Sequence, residues 1–101
     1  MIKLVEENLD QIRAICSRYS VKRLEVFGSA VTGEFHESSD IDFLVEFQPL
    51  QQGQHADAYF GLLEAIKEVL GRDVDLVMTS AIKNPYFLEQ INERRELLYA
   101  A

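Results

Sequence analysis

The sequence has little of the chemistry that cross-links a fold. It contains one cysteine, Cys16, so it can form neither an intrachain disulfide nor a cysteine-rich zinc site. Cys16 lies among Ile12, Ile15 and Tyr19 in a helix-like stretch, which favours a small buried hydrophobe over a reactive thiol. The hydrophobic share of 48% is ordinary for a soluble globular fold.

Long apolar runs are also absent. No run approaches the length that spans a membrane. The first ten residues carry charges among their apolar residues and lack the uninterrupted apolar core of a signal peptide. We therefore expect a cytoplasmic protein without a membrane partner. The length of 101 residues predicts a single domain over residues 1–101.

Positive charge is scarce. Ten Lys and Arg residues face seventeen Asp and Glu residues, which gives a net charge of −7. An acidic surface repels a phosphate backbone, so we expect no direct nucleic-acid binding. A nucleotide that arrives with metal ions remains compatible with this charge, because the metals offset it.

The apolar pattern alternates between helical and strand periods. Helical stripes run over residues 4–19 and 59–70, and Gly71 closes the second. Strands are predicted at 21–27, 40–47 and 73–78, with a loop at 48–56 that could act as a lid or linker. Pro85 opens a short helix, and residues 97–99 could add a strand at a sheet edge. This order predicts an α/β or α+β sandwich with helices packed on a small sheet.

Two carboxylates stand inside the second predicted strand. Asp40 and Asp42 are two residues apart, so both side chains leave the same face, about 6.5–7 Å apart along the backbone. Like charges this close raise each other's pKa unless a cation lies between them. Mg²⁺ takes one or two carboxylates and completes its shell with water and phosphate. The pattern therefore predicts a magnesium site.

A third carboxylate supports this interpretation. Asp75 is flanked by apolar residues on the third predicted strand, and it would face Asp40 and Asp42 if the two strands are neighbours. Three carboxylates around one point can hold two metal ions, which clamp the attacking and leaving oxygens of an in-line displacement. Asp73 shares the strand face of Asp75 and is the alternative third ligand.

Gly28 and Ser29 follow the first predicted strand. A glycine lets the backbone approach a ligand closely, and a serine at the next turn offers a hydroxyl and an N–H group to phosphate. Each of these fragments is weak alone. Together they form a Gly-Ser pair, ten residues, Asp40-Ile41-Asp42 and a later Val-Asp-Leu-Val segment, which is a much more specific pattern.

The combined pattern resembles the minimal nucleotidyltransferase (MNT) family of the DNA polymerase β-like superfamily. The resemblance covers nearly the whole chain, including Gly71-Arg72 and the closing Leu97-Leu98-Tyr99 segment. It implies the nucleotidyltransferase fold, with helices packed on a small mixed β-sheet. It also implies Mg²⁺-dependent transfer of AMP from ATP to a hydroxyl, with two magnesium ions.

The resemblance also implies roles for single residues. Asp40, Asp42 and Asp75 would hold the metal, Asp75 would help to deprotonate the acceptor hydroxyl, and Gly28 and Ser29 would hold the triphosphate. Proteins similar to this are often antitoxins that silence a HEPN-domain RNase toxin by adenylylating one of its tyrosines. The implied partners are therefore a HEPN toxin and ATP.

One position departs from the family pattern, and two other functions compete. Many relatives carry Arg or Lys where Thr32 precedes Gly33, so Arg72, Lys83 or another residue would have to replace that cation. One alternative is an antitoxin that neutralises its partner by stoichiometric binding alone, although three mutually repelling acids favour an enzyme. The other is a small-molecule nucleotidyltransferase, but such relatives generally carry an added substrate domain.

Overall fold

The computed structural model describes residues 2–28, 31, 40–79, 84–86, 89 and 95–101. Within them the chain forms three helices and four strands. The helices are α1 (Lys3–Glu7), α2 (Leu9–Arg18) and α3 (Gln54–Leu70). The strands are β1 (Val21–Phe27), β2 (Ile41–Phe47), β3 (Val74–Met78) and β4 (Arg95–Ala100).

The four strands form one mixed sheet in the order β3-β2-β1-β4. β1 runs antiparallel to both β2 and β4, whereas β2 and β3 are parallel. A parallel pair needs a long crossover, and α3 lies between β2 and β3 in the chain to supply it. The predicted class, helices packed on a small mixed sheet, is confirmed.

The helices cover one face of the sheet. Alternate residues of β1 and β2 enter the main core with the apolar sides of α2 and α3: Leu24, Val26, Ile41, Phe43, Val45, Ile12, Ile15, Cys16, Leu62 and Ile66. The intervening strand residues lie on the opposite face, because successive side chains of a strand alternate. There Phe27 and Leu44 form a smaller apolar cluster with Val77. The second face is the one that carries Asp42.

The first predicted helix is divided in two at Asn8. Asn8 has φ −110° and ψ 14°, and its side-chain Nδ2 donates to the carbonyl of Leu4 at 2.8 Å. This carbonyl would otherwise accept the backbone N–H of Asn8 in a continuous helix. Asn side chains compete with helical backbone bonds in this way, so one helix over residues 4–19 was the wrong prediction.

Other boundaries differ less. The loop predicted at 48–56 is shorter, because α3 already begins at Gln54 after Gly53 in the left-handed region (φ 90°). β4 extends the possible strand at 97–99 in both directions, and it lies at a sheet edge as expected. Pro85 and Tyr86 are helical, whereas Phe87, Leu88 and Ile91 of the predicted short helix lie outside the described residues. In the part of the chain that is described, no helix has the length and apolar character needed to cross a bilayer.

Candidate active site

Asp42 and Asp75 are direct neighbours across two strands. Their Cα atoms are register partners in the parallel pair β2 and β3. Register partners point to the same side of a sheet, and neighbouring strands lie about 4.7–4.9 Å apart. The structure therefore brings these two carboxylates together on the face opposite the helices. From the sequence alone, this proximity of Asp42 and Asp75 was expected only if β2 and β3 are neighbours.

The surroundings of Asp42 oppose its negative charge. Burial, followed by the charges of Asp75 and then Asp40, raises the pKa of Asp42 from its usual 3.8 to about 6. Asp40 and Asp75 are exposed and Asp42 is partly buried. The site thus has one recessed carboxyl with two accessible carboxylates beside it, which is a place that attracts a cation.

Asp73, the alternative third ligand, has a different position. It precedes β3, and its backbone carbonyl accepts the N–H of Ile41 at 3.1 Å. The charges that raise the pKa of Asp42 are those of Asp75 and Asp40. The strand that carries Asp75 is fixed to the helical layer, because the hydroxyl of Tyr59 on α3 donates to the carbonyl of Leu76 at 2.5 Å. These contacts favour Asp75 as the third carboxylate.

The donor set suits a hard cation. Within the described ranges, no three His, Cys, Asp or Glu side chains form a ready-made cage for a metal ion. Magnesium does not need such a cage, since it binds through one or two carboxylates and keeps water or phosphate in its other positions. Carboxylate oxygens from Asp42 and its two neighbours fit that requirement, and they do not fit a metal that prefers sulfur or nitrogen.

Gly28 touches the recessed carboxyl. It has a φ of +74°, and a Cβ built on it would lie 2.7 Å from Oδ2 of Asp42. Any side chain here would displace Asp42 and would also strain the backbone. The carbonyl of Gly28 accepts the N–H of the helical residue Val31 at 3.0 Å, so a turn starts directly beside the acids. Ser29, Thr32, Gly33 and Lys83 lie outside the described residues.

Arg72, which could replace the basic residue that is absent at position 32, is partly buried. Arg72 lines a shallow depression of about 350 Å³ with Lys67, Gly71 and Asp73. The depression lies just before β3, which begins at Val74 and places Asp75 second. A cationic side chain is therefore present near the strand that carries the third acid.

Sequence reasoning missed an ion cluster around a buried acid on the same sheet face. Glu25 is only 4% exposed, and its Oε1 and Oε2 accept from Nε of Arg23 at 2.8 Å and Nε of Arg95 at 3.0 Å. The alternation of Arg23 and Glu25 with Leu24 and Val26 indicated only a polar strand face. The available signal was an acid enclosed by apolar residues, which is the same signal that identified Asp42.

Comparison with known proteins agrees with this geometry. Residues 9–98 match the family described as "Nucleotidyltransferase domain". The chain is 37% identical over 102 residues to "Putative protein adenylyltransferase MJ0128" of Methanocaldococcus jannaschii, covering 97% of this chain and 99% of that protein. It is 35% identical over 89 residues to "Protein adenylyltransferase MntA" of Thermococcus cleftensis, covering 83% and 87% of the two chains.

Solved structures share the fold. One described as "Structure of putative minimal nucleotidyltransferase" has a TM-score of 0.76 and 29% identity, covering 94% of this chain and 95% of its own. A chain from the complex of tri-AMPylated Shewanella oneidensis HEPN toxin with MNT antitoxin has a TM-score of 0.65. It is 19% identical and covers 95% of this chain and 72% of its own, so it supports the fold alone. The expected family is thereby confirmed, and the chain belongs to the nucleotidyltransferase domain family as one of its minimal nucleotidyltransferases.

Proposed function

We propose that this nucleotidyltransferase moves AMP from ATP to a tyrosine hydroxyl of a partner HEPN toxin and thereby acts as an antitoxin. The observation that carries the proposal is the pairing of Asp42 with Asp75 on β2 and β3, with Gly28 packed against Asp42. The relatives named as protein adenylyltransferases support a protein acceptor. The resemblance of the Gly28 and Asp40-Ile41-Asp42 motif to the minimal nucleotidyltransferase family points to a HEPN toxin as that acceptor.

The three carboxylates would hold magnesium. Asp42 contributes the recessed ligand, and Asp40 and Asp75 contribute exposed ones. A bound cation would favour the ionised form of Asp42, whose pKa is raised to about 6 without it. Magnesium supplies neutralisation of the phosphate charge and orientation of the triphosphate. The net charge of −7 makes that neutralisation necessary for any triphosphate to approach.

The transfer itself is a displacement at the α-phosphorus of ATP. The acceptor oxygen forms a bond to this phosphorus, the bond to the oxygen that bridges to the β-phosphate breaks, and pyrophosphate leaves. The acceptor proton passes to Asp75, which is exposed and therefore within reach of a side chain from another protein. The turn after β1 lies beside the carboxylates, and Gly28 leaves its backbone accessible to phosphate. We retain Ser29 as a predicted triphosphate contact.

The test is transfer to a purified partner. The chain is incubated with ATP labelled on its α-phosphate, magnesium chloride and the HEPN protein, and the toxin is analysed by mass spectrometry for an added AMP. Asp42→Asn keeps the size of the side chain but removes a metal ligand, so we expect transfer to fall at least 100-fold. Asp57→Asn on the exposed side of α3 is the matched control and should retain transfer.

Two results would contradict the proposal. If Asp42→Asn still modifies and silences the toxin at substoichiometric amounts, catalysis does not pass through this site. If the unmodified chain silences the toxin only at a one-to-one ratio and adds no AMP, stoichiometric binding is the function.

A further inference from the structure

The ion cluster of buried Glu25 with the more exposed Arg23 and Arg95 is not used by the chemistry described so far. Two arginines share one carboxylate, so the cluster carries a net charge of +1 on the sheet face that also carries Asp42 and Asp75. Burying a carboxylate costs several kcal/mol in lost hydration, and an apolar residue of similar volume is often as stable or more stable. Stability alone is therefore a weak reason for an acid at Glu25.

Arg95 stands in the same row of the sheet as the catalytic carboxylates. Arg95 is the register partner of Phe27, Phe27 is the partner of Asp42, and Asp42 is the partner of Asp75. All four side chains leave the sheet on the same face, because register partners share a face. Two strand spacings separate the Cα atoms of Arg95 and Asp42, which is about 10 Å.

An irregularity in β4 determines this orientation. Leu24 pairs with Tyr99 and Glu25 pairs with Leu97, so Leu98 has no register partner on β1, as in a β-bulge. The extra residue reverses the alternation beyond it. Leu98 and Tyr99 both pack against the main core, while Leu97 and Arg95 turn to the opposite face. Bulges commonly re-aim side chains next to active sites.

Glu25 then holds the arginine in place. Its side chain is 5% exposed and contacts Nε of Arg95 at 3.0 Å, whereas the side chain of Arg95 remains 34% exposed. A guanidinium carries five N–H donors, and its terminal groups match the geometry of phosphate oxygens. Glu25 therefore fixes the Nε group of Arg95 to the sheet, and the positive charge of Arg95 lies near the row that contains Asp42 and Asp75.

We propose that Arg95 is a substrate-binding residue that contacts the phosphate chain of the nucleotide, and that Glu25 is the positioning residue that orients it. This inference rests on the proposed function, since it assigns a cation to the same nucleotide site.

Arg23 is a matched control inside the same cluster. It contacts the other oxygen of Glu25, but its register partners are Glu46 and Ala100, away from the row of Asp42. A purely structural cluster predicts that loss of either arginine has the same consequence. A role at the site predicts that loss of Arg95 alone changes nucleotide affinity.

The experiment measures the affinity of the full chain for ATP in the presence of magnesium by calorimetry. We expect Arg95→Gln to weaken ATP binding about 10- to 100-fold, as expected for losing a hydrogen bond to a charged group. Arg23→Gln should leave the affinity within about twofold. Glu25→Gln should lie between them, and Arg95→Lys should restore part of the loss, since it restores the charge without the fork.

Equal losses in Arg95→Gln and Arg23→Gln would overturn the inference, and so would an unchanged affinity in Arg95→Gln. If Arg95→Gln does not fold, the pair Arg95→Lys and Arg23→Lys is compared instead, and equal affinities overturn the inference. Failure of the proposed function is recognised separately, by measurements on the unmodified chain. That chain would then bind magnesium and ATP without transferring AMP, or would not bind ATP at all.

Discussion

A Cβ atom on Gly28 would lie 2.7 Å from Oδ2 of Asp42. The glycine that follows β1 and the first carboxylate inside β2 are therefore adjacent, and a side chain on Gly28 would displace that carboxylate. This proximity links the two halves of the sequence motif, Gly28 and Asp40-Ile41-Asp42.

The first prediction compares two glycines. Gly28 and Gly71 both have positive φ, +74° and +64°, but nothing lies within 4 Å of a Cβ at Gly71. Alanine at either position should cost about 1–2 kcal/mol through the left-handed backbone. Only Gly28→Ala should also displace Asp42 and abolish AMP transfer. The measurement is urea unfolding of both variants alongside the transfer assay; equal activity in the two would contradict the assigned contact.

The second prediction concerns pH and the free energy of unfolding without magnesium. The folded chain binds a proton at Asp42 more tightly than the unfolded chain does, because the pKa is about 6 instead of 3.8. Stability is therefore lost as pH rises from about 4 to about 6. Asp42→Asn removes this cost and should be more stable than the unmodified chain above pH 6, by about 1 kcal/mol, because solvent screens the charges around this half-exposed side chain. Below pH 4 the two should be equal.

This difference is measured by urea unfolding in EDTA at several pH values. Glu64→Gln, an exposed position in the middle of α3, controls for the general benefit of removing a negative charge from an acidic chain. A gain in Asp42→Asn that is the same at pH 3.5 and pH 7.5 would show that its origin is not the ionisation of Asp42.

The third prediction separates the two aspartates near the start of β3. Asp75 is the register partner of Asp42, whereas Asp73 precedes the strand. Both are exposed, so neither substitution should change folding much. Asp75→Asn should lower the rate of AMP transfer at least 100-fold, and Asp73→Asn should stay within a few-fold of the unmodified chain. Single-turnover transfer rates decide between them, and the reverse order would assign the third ligand to Asp73.

The fourth prediction is that nucleotide binding depends on a divalent cation. The net charge of −7 and the adjacent carboxylates repel a bare triphosphate. ATP affinity measured by calorimetry should rise at least tenfold when magnesium replaces EDTA. Adenosine, which carries no phosphate, serves as the control and should bind equally in both buffers. The same affinity for ATP with and without magnesium would exclude the metal role.

The fifth prediction concerns Cys16. Its side chain is fully buried in the main core, as the sequence predicted, and burial raises the pKa of its thiol to about 12. A thiolate reagent at pH 8 should therefore not react with the folded chain on the time scale of minutes, and should react fully in urea. Rapid labelling of the native chain would place Cys16 outside the core.

The sequence determined much of the fold because its information is local. Alternation of apolar residues was enough to locate β1 without error and to assign Ile41, Phe43 and Val45 to one face and Asp42 to the other. Side chains alternate along any strand, so this assignment needs no knowledge of neighbours. Local hydrogen bonding was harder to predict. The side-chain amide of Asn8 ends α1 within an apolar helical pattern that is continuous in the sequence.

The tertiary structure decided which strands are neighbours and therefore which charges meet. The pairing of Asp42 with Asp75 joins residues 33 positions apart, and the contact of Glu25 with Arg95 joins residues 70 apart. Strand order and the skipped register at Leu98 follow from packing of the whole sheet against α2 and α3. Such non-local pairing leaves no periodic mark in the sequence, because its energy depends on partners that only the folded chain brings together.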